Sequence, residues 1–268
     1  MIRDERFHRN QGVLSPAVIA QLADVHVMIA GVGGSGGQVA VDLARIGIGY
    51  LTLADFDVYE LHNMNRQVGC YESTLGQPKI DVVSRMCSDI NPELKIRKVP
   101  EGVTAENCRE LVTASAFPAP DFVLEVMDMS AVSAKICLHD ACRERNITAM
   151  TGIMLGFGAS LIVFAPDAPS FRRLYVHPDG RLDLSSMLPP RMGSYFVKEF
   201  VDACLEGRGH APTCVIGATT AAAMMVAEIM RGLLLGKPAM TTWPQYLYVD
   251  FFDRVSVCDT FPSAKVRS

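Results

Sequence analysis

No two of the eight cysteines (70, 87, 108, 137, 142, 204, 214 and 258) form a C-x-x-C, which excludes the paired spacing of a zinc ribbon or a redox motif. The N-terminal MIRDERFHRN is charged and lacks the apolar stretch of a signal peptide. Free thiols in a reducing, cytoplasmic setting are therefore expected. No Lys/Arg run exceeds two residues and the net charge is -4, so the chain has no basic stripe for nucleic acid. The longest uncharged stretch, residues 146–166, is broken by Gly152, Gly156 and Gly158 and reads as two short strands, not a membrane span. The six histidines (8, 26, 62, 139, 177 and 210) show no metal-ligand spacing, and most are read as surface or capping residues. There is no internal repeat, and no Ser-His-Asp or Cys-His set stands out.

What is present is a chain of 268 residues with 49% hydrophobic content, enough for one large α/β domain. Short apolar runs alternate with amphipathic segments through the first 150 residues. That rhythm predicts βαβ units in a Rossmann-like, doubly wound and mainly parallel sheet with helices on both faces. Strands are expected at 25–30, 50–55, 94–99, 122–128 and 147–152, with helices at 36–47, 79–90 and 133–145. Residues 167–193 are rich in Pro, Gly, Ser and Arg without a sustained period, and read as a mobile excursion. A helix over 194–207 and a long apolar helix over 217–236 follow. The runs at 246–252 and 254–261 look like a hairpin that extends the sheet in antiparallel fashion. The chain divides into an N-terminal arm (1–24), a nucleotide-binding half (25–152) and a crossover and C-terminal part (153–268), all in a single domain.

AGVGGSGG follows the first strand and opens a helix, with Gly31, Gly33 and Gly36 in G-x-G-x-x-G spacing and Gly34 between them. Such glycines permit a tight turn and let backbone N–H groups approach a phosphate at a helix N-terminus. Asp55 closes the second strand, where a carboxylate accepts hydrogen bonds from ribose hydroxyls. Up to this point an NAD enzyme and an ATP enzyme look alike. The stretch DFDVYELHNMNRQ then adds Asn63, Asn65 and Arg66, and Lys79 follows. Two cations are superfluous for hydride transfer but suit the β- and γ-phosphates of a triphosphate. Asp128, at the carboxyl end of the fourth strand, is a candidate ligand for Mg²⁺. Asp57 is left without an assigned contact.

GVGGSGG, LADFDVYELHNMNRQ, LGQPK and the Met127-Asp128 pair resemble the ThiF/MoeB/HesA family, prokaryotic relatives of ubiquitin-activating enzymes. The resemblance runs over roughly residues 6 to 165 and resumes more faintly in the last helix and hairpin. It implies an ATP-dependent adenylyltransferase that activates the C-terminal carboxylate of a small ubiquitin-like sulfur carrier or a peptide as an acyl-adenylate, releasing pyrophosphate. It assigns Asp55 to the ribose, Asn63, Arg66 and Lys79 to the phosphates, Asp128 to Mg²⁺, and Gly33 with its neighbours to backbone contacts. RFHRNQ resembles the family's R-Y-x-R-Q start, which implies a homodimer in which Arg9 reaches the partner's active site. Here the glutamine is displaced by one position.

The pattern also departs from the family. Many members carry two C-x-x-C pairs for a structural zinc, and SFRRLY stands where the first would be, so no zinc is expected. Some relatives use a crossover-loop cysteine, and Cys204 and Cys214 are both candidates. The acceptor carboxylate and the step after adenylation are left open. An NAD(P)-dependent oxidoreductase and a non-catalytic partner subunit are the alternatives. The first leaves Arg66 and Lys79 unexplained, and the second is hard to reconcile with a full set of site residues.

Overall fold

The protein is described here by a computed structural model over residues 5–190 and 192–261. Its strands are β1 (His26–Ala30), β2 (Tyr50–Ala54), β3 (Lys95–Val99), β4 (Phe122–Glu125), β5 (Thr148–Leu155), β6 (Gly158–Phe164), β7 (Gln245–Asp250) and β8 (Val255–Thr260). The helices are α1 (Pro16–Gln21), α2 (Gly34–Ile46), α3 (Lys79–Ile90), α4 (Cys108–Leu111), α5 (Val132–Glu144), α6 (Phe171–Tyr175), α7 (Leu184–Met187), α8 (Lys198–Leu205) and α9 (Val215–Leu235). All eight strands form one sheet in the order β3-β2-β1-β4-β5-β6-β7-β8. The first five in that order pair in parallel, and β5 to β8 pair antiparallel.

Alternation along β1 divides the core. Val27 and Ile29 pack with residues of α2, α3 and α9 on one face, whereas Met28 and Ala30 pack with residues of α4, α5 and α6 on the other. A fully buried strand therefore reads as a continuous apolar run. α9 is long and apolar enough to cross a membrane by length and composition. Its Ala221, Ala222, Met225, Val226 and Ile229 instead fill the core against β5 and β6. The helix stops where Gly236 takes φ 85.

Several expectations need correction. β4 ends at Glu125, so Asp128 lies in the loop beyond the strand and not at its last position. The excursion carries two short helices, α6 and α7, capped by the side chains of Ser170 and Asp183. Cys108 and Cys137 are joined in a disulfide with their Cα atoms 6.2 Å apart, so these two are not free thiols. The pair is invisible in the sequence because 29 residues separate its members, and the packing of α4 on α5 brings them together. His26 and His139 are buried, not surface residues. His26 satisfies both ring nitrogens, against Pro118 O at 2.7 Å and Thr52 Oγ1 at 2.9 Å, and burial lowers its pKa.

Candidate active site

Strand order reverses direction between β1 and β4, and such a switch point opens a crevice at the carboxyl ends of the strands. The glycine loop fills it tightly. Gly31 has φ 98, and a Cβ there would lie 2.6 Å from Val126 O. At Gly36 a Cβ would lie 1.9 Å from Gly31 O. Only glycine lets the backbone of β1, β4 and α2 approach this closely. Gly33 is the N-cap of α2 and offers no side-chain cap. The first-turn N–H groups of α2 thus face the crevice without a capping partner, at the end of the helix that favours an anion.

Asp55 follows β2 directly and is 9% exposed. Its carboxylate accepts from Val32 N at 2.5 Å and from Asp57 N at 2.8 Å. Burial raises its pKa, against the pull of those two N–H groups. The loop 55–79 then carries the polar groups back over the glycines. Arg66 Cγ and Met154 Sδ lie 3.5 and 3.0 Å from where a Gly34 Cβ would stand. Arg66 Nη1 donates to Asn65 Oδ1 at 2.8 Å and to His62 O at 3.2 Å, while its Nε is buried without a hydrogen-bond partner. Burial lowers the guanidinium's pKa. Asn63 is buried, and its Oδ1 accepts from Glu60 N at 3.1 Å, so it holds the turn that presents Arg66. Lys79 opens α3, is 6% exposed, and donates from Nζ to Asp57 Oδ2 at 2.8 Å.

Asp128 is exposed on the opposite lip of the crevice. Its Oδ1 accepts from Ser130 N at 2.8 Å and Ser130 Oγ at 2.6 Å. Burial opposes its ionisation, but the Ser130 hydrogen bonds and the charges of Lys135 and His210 prevail and lower its pKa. Among the described residues no group of three or more His, Cys, Asp or Glu is arranged to hold a metal. A lone ionised carboxylate fits Mg²⁺, which binds through one or two carboxylates together with substrate phosphates. Arg9 is not brought to this site. Phe7 packs on Gly47 and Asn10 Nδ2 donates to Ile46 O, which fixes the N-terminal arm at the far end of α2, about 20 Å from the glycine loop.

The structure adds groups that sequence reasoning missed. Asp57 is the counter-charge of Lys79. Gln67, the last residue of N-x-N-R-Q, is buried with its Oε1 unpartnered and its Nε2 3.7 Å from where a Gly33 Cβ would stand. Its place in the motif was a usable signal. Glu125 and Lys135 had none: they are ten residues apart and meet through the packing of α5, with Nζ 2.5 Å from Oε1 inside the protein. Lys135 Nζ also donates to Met127 O at 2.9 Å, tying down the loop that carries Asp128. Desolvation would raise the Glu125 pKa, but Lys135 and His139 overcome it and hold the carboxyl at about 2.

Cys204 does not resemble an activated nucleophile. Burial and the nearby Asp128 push the Cys204 thiol up, the reverse of what a reactive thiolate needs. Cys214 precedes α9 and donates from Sγ to Gly156 O at 3.2 Å. Cys204 borders a cleft, open to solvent, that begins at Ser35 and Met127, runs along β5, and passes under residues 182–190 and 192–213.

The chain is similar to several known proteins. The chain is 32% identical over 146 residues to the sulfur carrier protein ThiS adenylyltransferase of Escherichia coli, covering 54% of this chain and 55% of that protein. It is 31% identical over 148 residues to the tRNA threonylcarbamoyladenosine dehydratase of Haemophilus influenzae (55% and 54%), and 28% identical over 162 residues to the SAMP-activating enzyme E1 of Haloferax volcanii (60% and 57%). It thus spans little more than half the length of these curated relatives. Among solved structures, E. coli MccB with MccA-N7isoASN superposes with a TM-score of 0.72 at 19% identity, covering 96% of this chain and 72% of that one. PaaA superposes with 0.71 at 19% identity, covering 96% and 82%. These likenesses establish the fold. The ThiF family profile matches residues 7–262, and the chain belongs to the ThiF family.

Proposed function

We propose that this protein is an ATP-dependent adenylyltransferase that activates the C-terminal carboxylate of a small ubiquitin-like protein or peptide. The observation that carries the reading is the pair of cations beyond the ribose carboxylate: Lys79, 6% exposed, and Arg66, whose buried Nε has no protein partner. Nothing in a hydride transfer calls for them, whereas a triphosphate meets both. Membership of the ThiF family and the names of the relatives support it.

In this reading Asp55 accepts from the ribose hydroxyls, and the first turn of α2 with Arg66, Asn63 and Lys79 takes the phosphates. Asp128 would hold Mg²⁺, which offsets charge on the phosphates when bound. A carboxylate oxygen of the acceptor attacks the α-phosphorus, the bond to the β-phosphate oxygen breaks, and pyrophosphate leaves with its electron pair. An ionised carboxylate needs no general base, so positioning and electrostatics suffice. The proposal includes a cytoplasmic homodimer in which Arg9 of one copy completes the partner's site.

Exchange of radiolabelled pyrophosphate into ATP, with purified protein and candidate carboxylate donors, tests it. Exchange should require a donor and should disappear in Asp128→Ala and Arg66→Ala variants that still fold. Retained exchange in both variants would end the reading.

A further inference from the structure

We infer that the acceptor carries a bulky apolar side chain next to its carboxylate, as in a peptide ending in leucine or phenylalanine, and is not a diglycine tail. The inference rests on the adenylyltransferase reading and deepens it.

The cleft beside the glycine loop sets the requirement. It is continuous with the nucleotide crevice through Ser35, in the first turn of α2, and Met127, so it is where an acceptor carboxylate must approach the α-phosphate. Its roof is held at Thr213 and at Ser194 and Tyr195. Asn65 Nδ2 donates to Thr213 O at 3.1 Å. Ser194 N donates to Asp253 Oδ2 at 2.7 Å and the Tyr195 hydroxyl lies 2.7 Å from Asp250 Oδ2. The apolar side chains of the roof are incompletely covered, although Leu188, Met192 and Phe196 pack against the core. α8 has no buried residue at all, and its Val201 and Leu205 border the cleft only partly covered. Leu184, Leu188, Met192 and Phe196 border it likewise, none of them buried. Apolar side chains lining a cleft with incomplete burial gain from an apolar occupant.

The cleft's polar groups point the same way. Lys135 is committed to Glu125 Oε1 and Met127 O, and Thr151 Oγ1 donates to Glu125 Oε2 at 3.3 Å. No unpaired charge therefore remains on this floor for a charged side chain, whose burial here would be costly. A diglycine tail has no side chain with which to fill the space.

Acyl sulfamoyl adenosines, stable mimics of an acyl-adenylate, test the inference on the full chain by titration calorimetry. The compounds carry N-acetyl-leucyl, N-acetyl-phenylalanyl or N-acetyl-glycylglycyl groups, with sulfamoyl adenosine itself reporting the nucleotide half. The leucyl or phenylalanyl compound should bind at least about tenfold tighter than the diglycyl one. Val201→Trp, which fills the cleft from α8, should erase that margin, and Leu205→Trp gives a second variant should the first fold poorly. Diglycyl binding as tight as, or tighter than, the apolar compounds would overturn the inference while leaving the adenylyltransferase reading standing. Failure of every compound to bind, sulfamoyl adenosine included, would overturn both.

Discussion

The ammonium of Lys79 lies 2.8 Å from Asp57 Oδ2, with the lysine side chain 7% exposed and the aspartate 51% exposed. The lysine is thus held by an acid that is itself largely in water, so the contact orients the ammonium without contributing much stability. Lys79→Met should weaken MgATP binding about tenfold to a hundredfold, the worth of one charge-assisted hydrogen bond, with little change in unfolding midpoint. Asp57→Asn should weaken it less. Titration calorimetry with thermal unfolding separates the two effects, and equal loss in both variants would mean that Asp57 itself meets the ligand.

The Glu125–Lys135 pair is a different kind of contact, because both partners are buried. Glu125→Gln or Lys135→Met alone should cost about 3–5 kcal/mol by stranding the other charge, and the double variant should recover much of that loss. Urea unfolding of the four proteins measures this as a cycle. The carboxyl is lowered from 4.5 to about 2 in the folded protein. Its contribution to stability is therefore complete above the ordinary glutamate range and should be lost as pH falls from about 4.5 toward about 2. Additive single-variant losses would mean the pair is not coupled.

Glycine positions differ sharply in what they tolerate. A Cβ at Gly36 would meet the Gly31 backbone carbonyl at 1.9 Å. Gly36→Ala should therefore displace the loop and abolish nucleotide binding. At Gly76 nothing lies within 4 Å and only the positive φ of 77 opposes a side chain. Gly76→Ala should cost about 1–2 kcal/mol and leave nucleotide binding intact. Thermal unfolding and MgATP titration on both variants check the contrast.

Arg9 sits at the opposite end of α2 from the glycine loop of its own chain, so a role for it in adenylation requires a second copy. Co-refolded Arg9→Ala and Arg66→Ala chains should then regain pyrophosphate exchange that each lacks alone, since one mixed site carries both residues. No recovery in a verified mixed dimer would remove Arg9 from the reaction.

Much of this was legible in the sequence because local rules and tertiary context agree. The α3 boundaries, residues 79–90, follow from the apolar spacing of KIDVVSRMCSDI, and the parallel strands follow from short apolar runs whose two faces are both covered. The carboxylate at Asp55 and the glycines before α2 stand where strand ends and helix starts put them. What stayed hidden depends on long-range packing. Glu125 and Lys135 meet only because α5 lies on β4, and Cys108 meets Cys137 only because α4 lies on α5. The short helices of the excursion carry too few turns to show a period, and the early end of β4 reflects the Met127 backbone bonding to side chains and not to a neighbouring strand.

A crevice between β1 and β4 that takes a triphosphate should discriminate against a dinucleotide. Titration of MgATP and of NAD into the full chain and into Arg66→Ala tests it most directly. MgATP should bind at least about tenfold more tightly than NAD, and Arg66→Ala should remove the difference. Tighter binding of NAD, indifferent to Arg66, would contradict it.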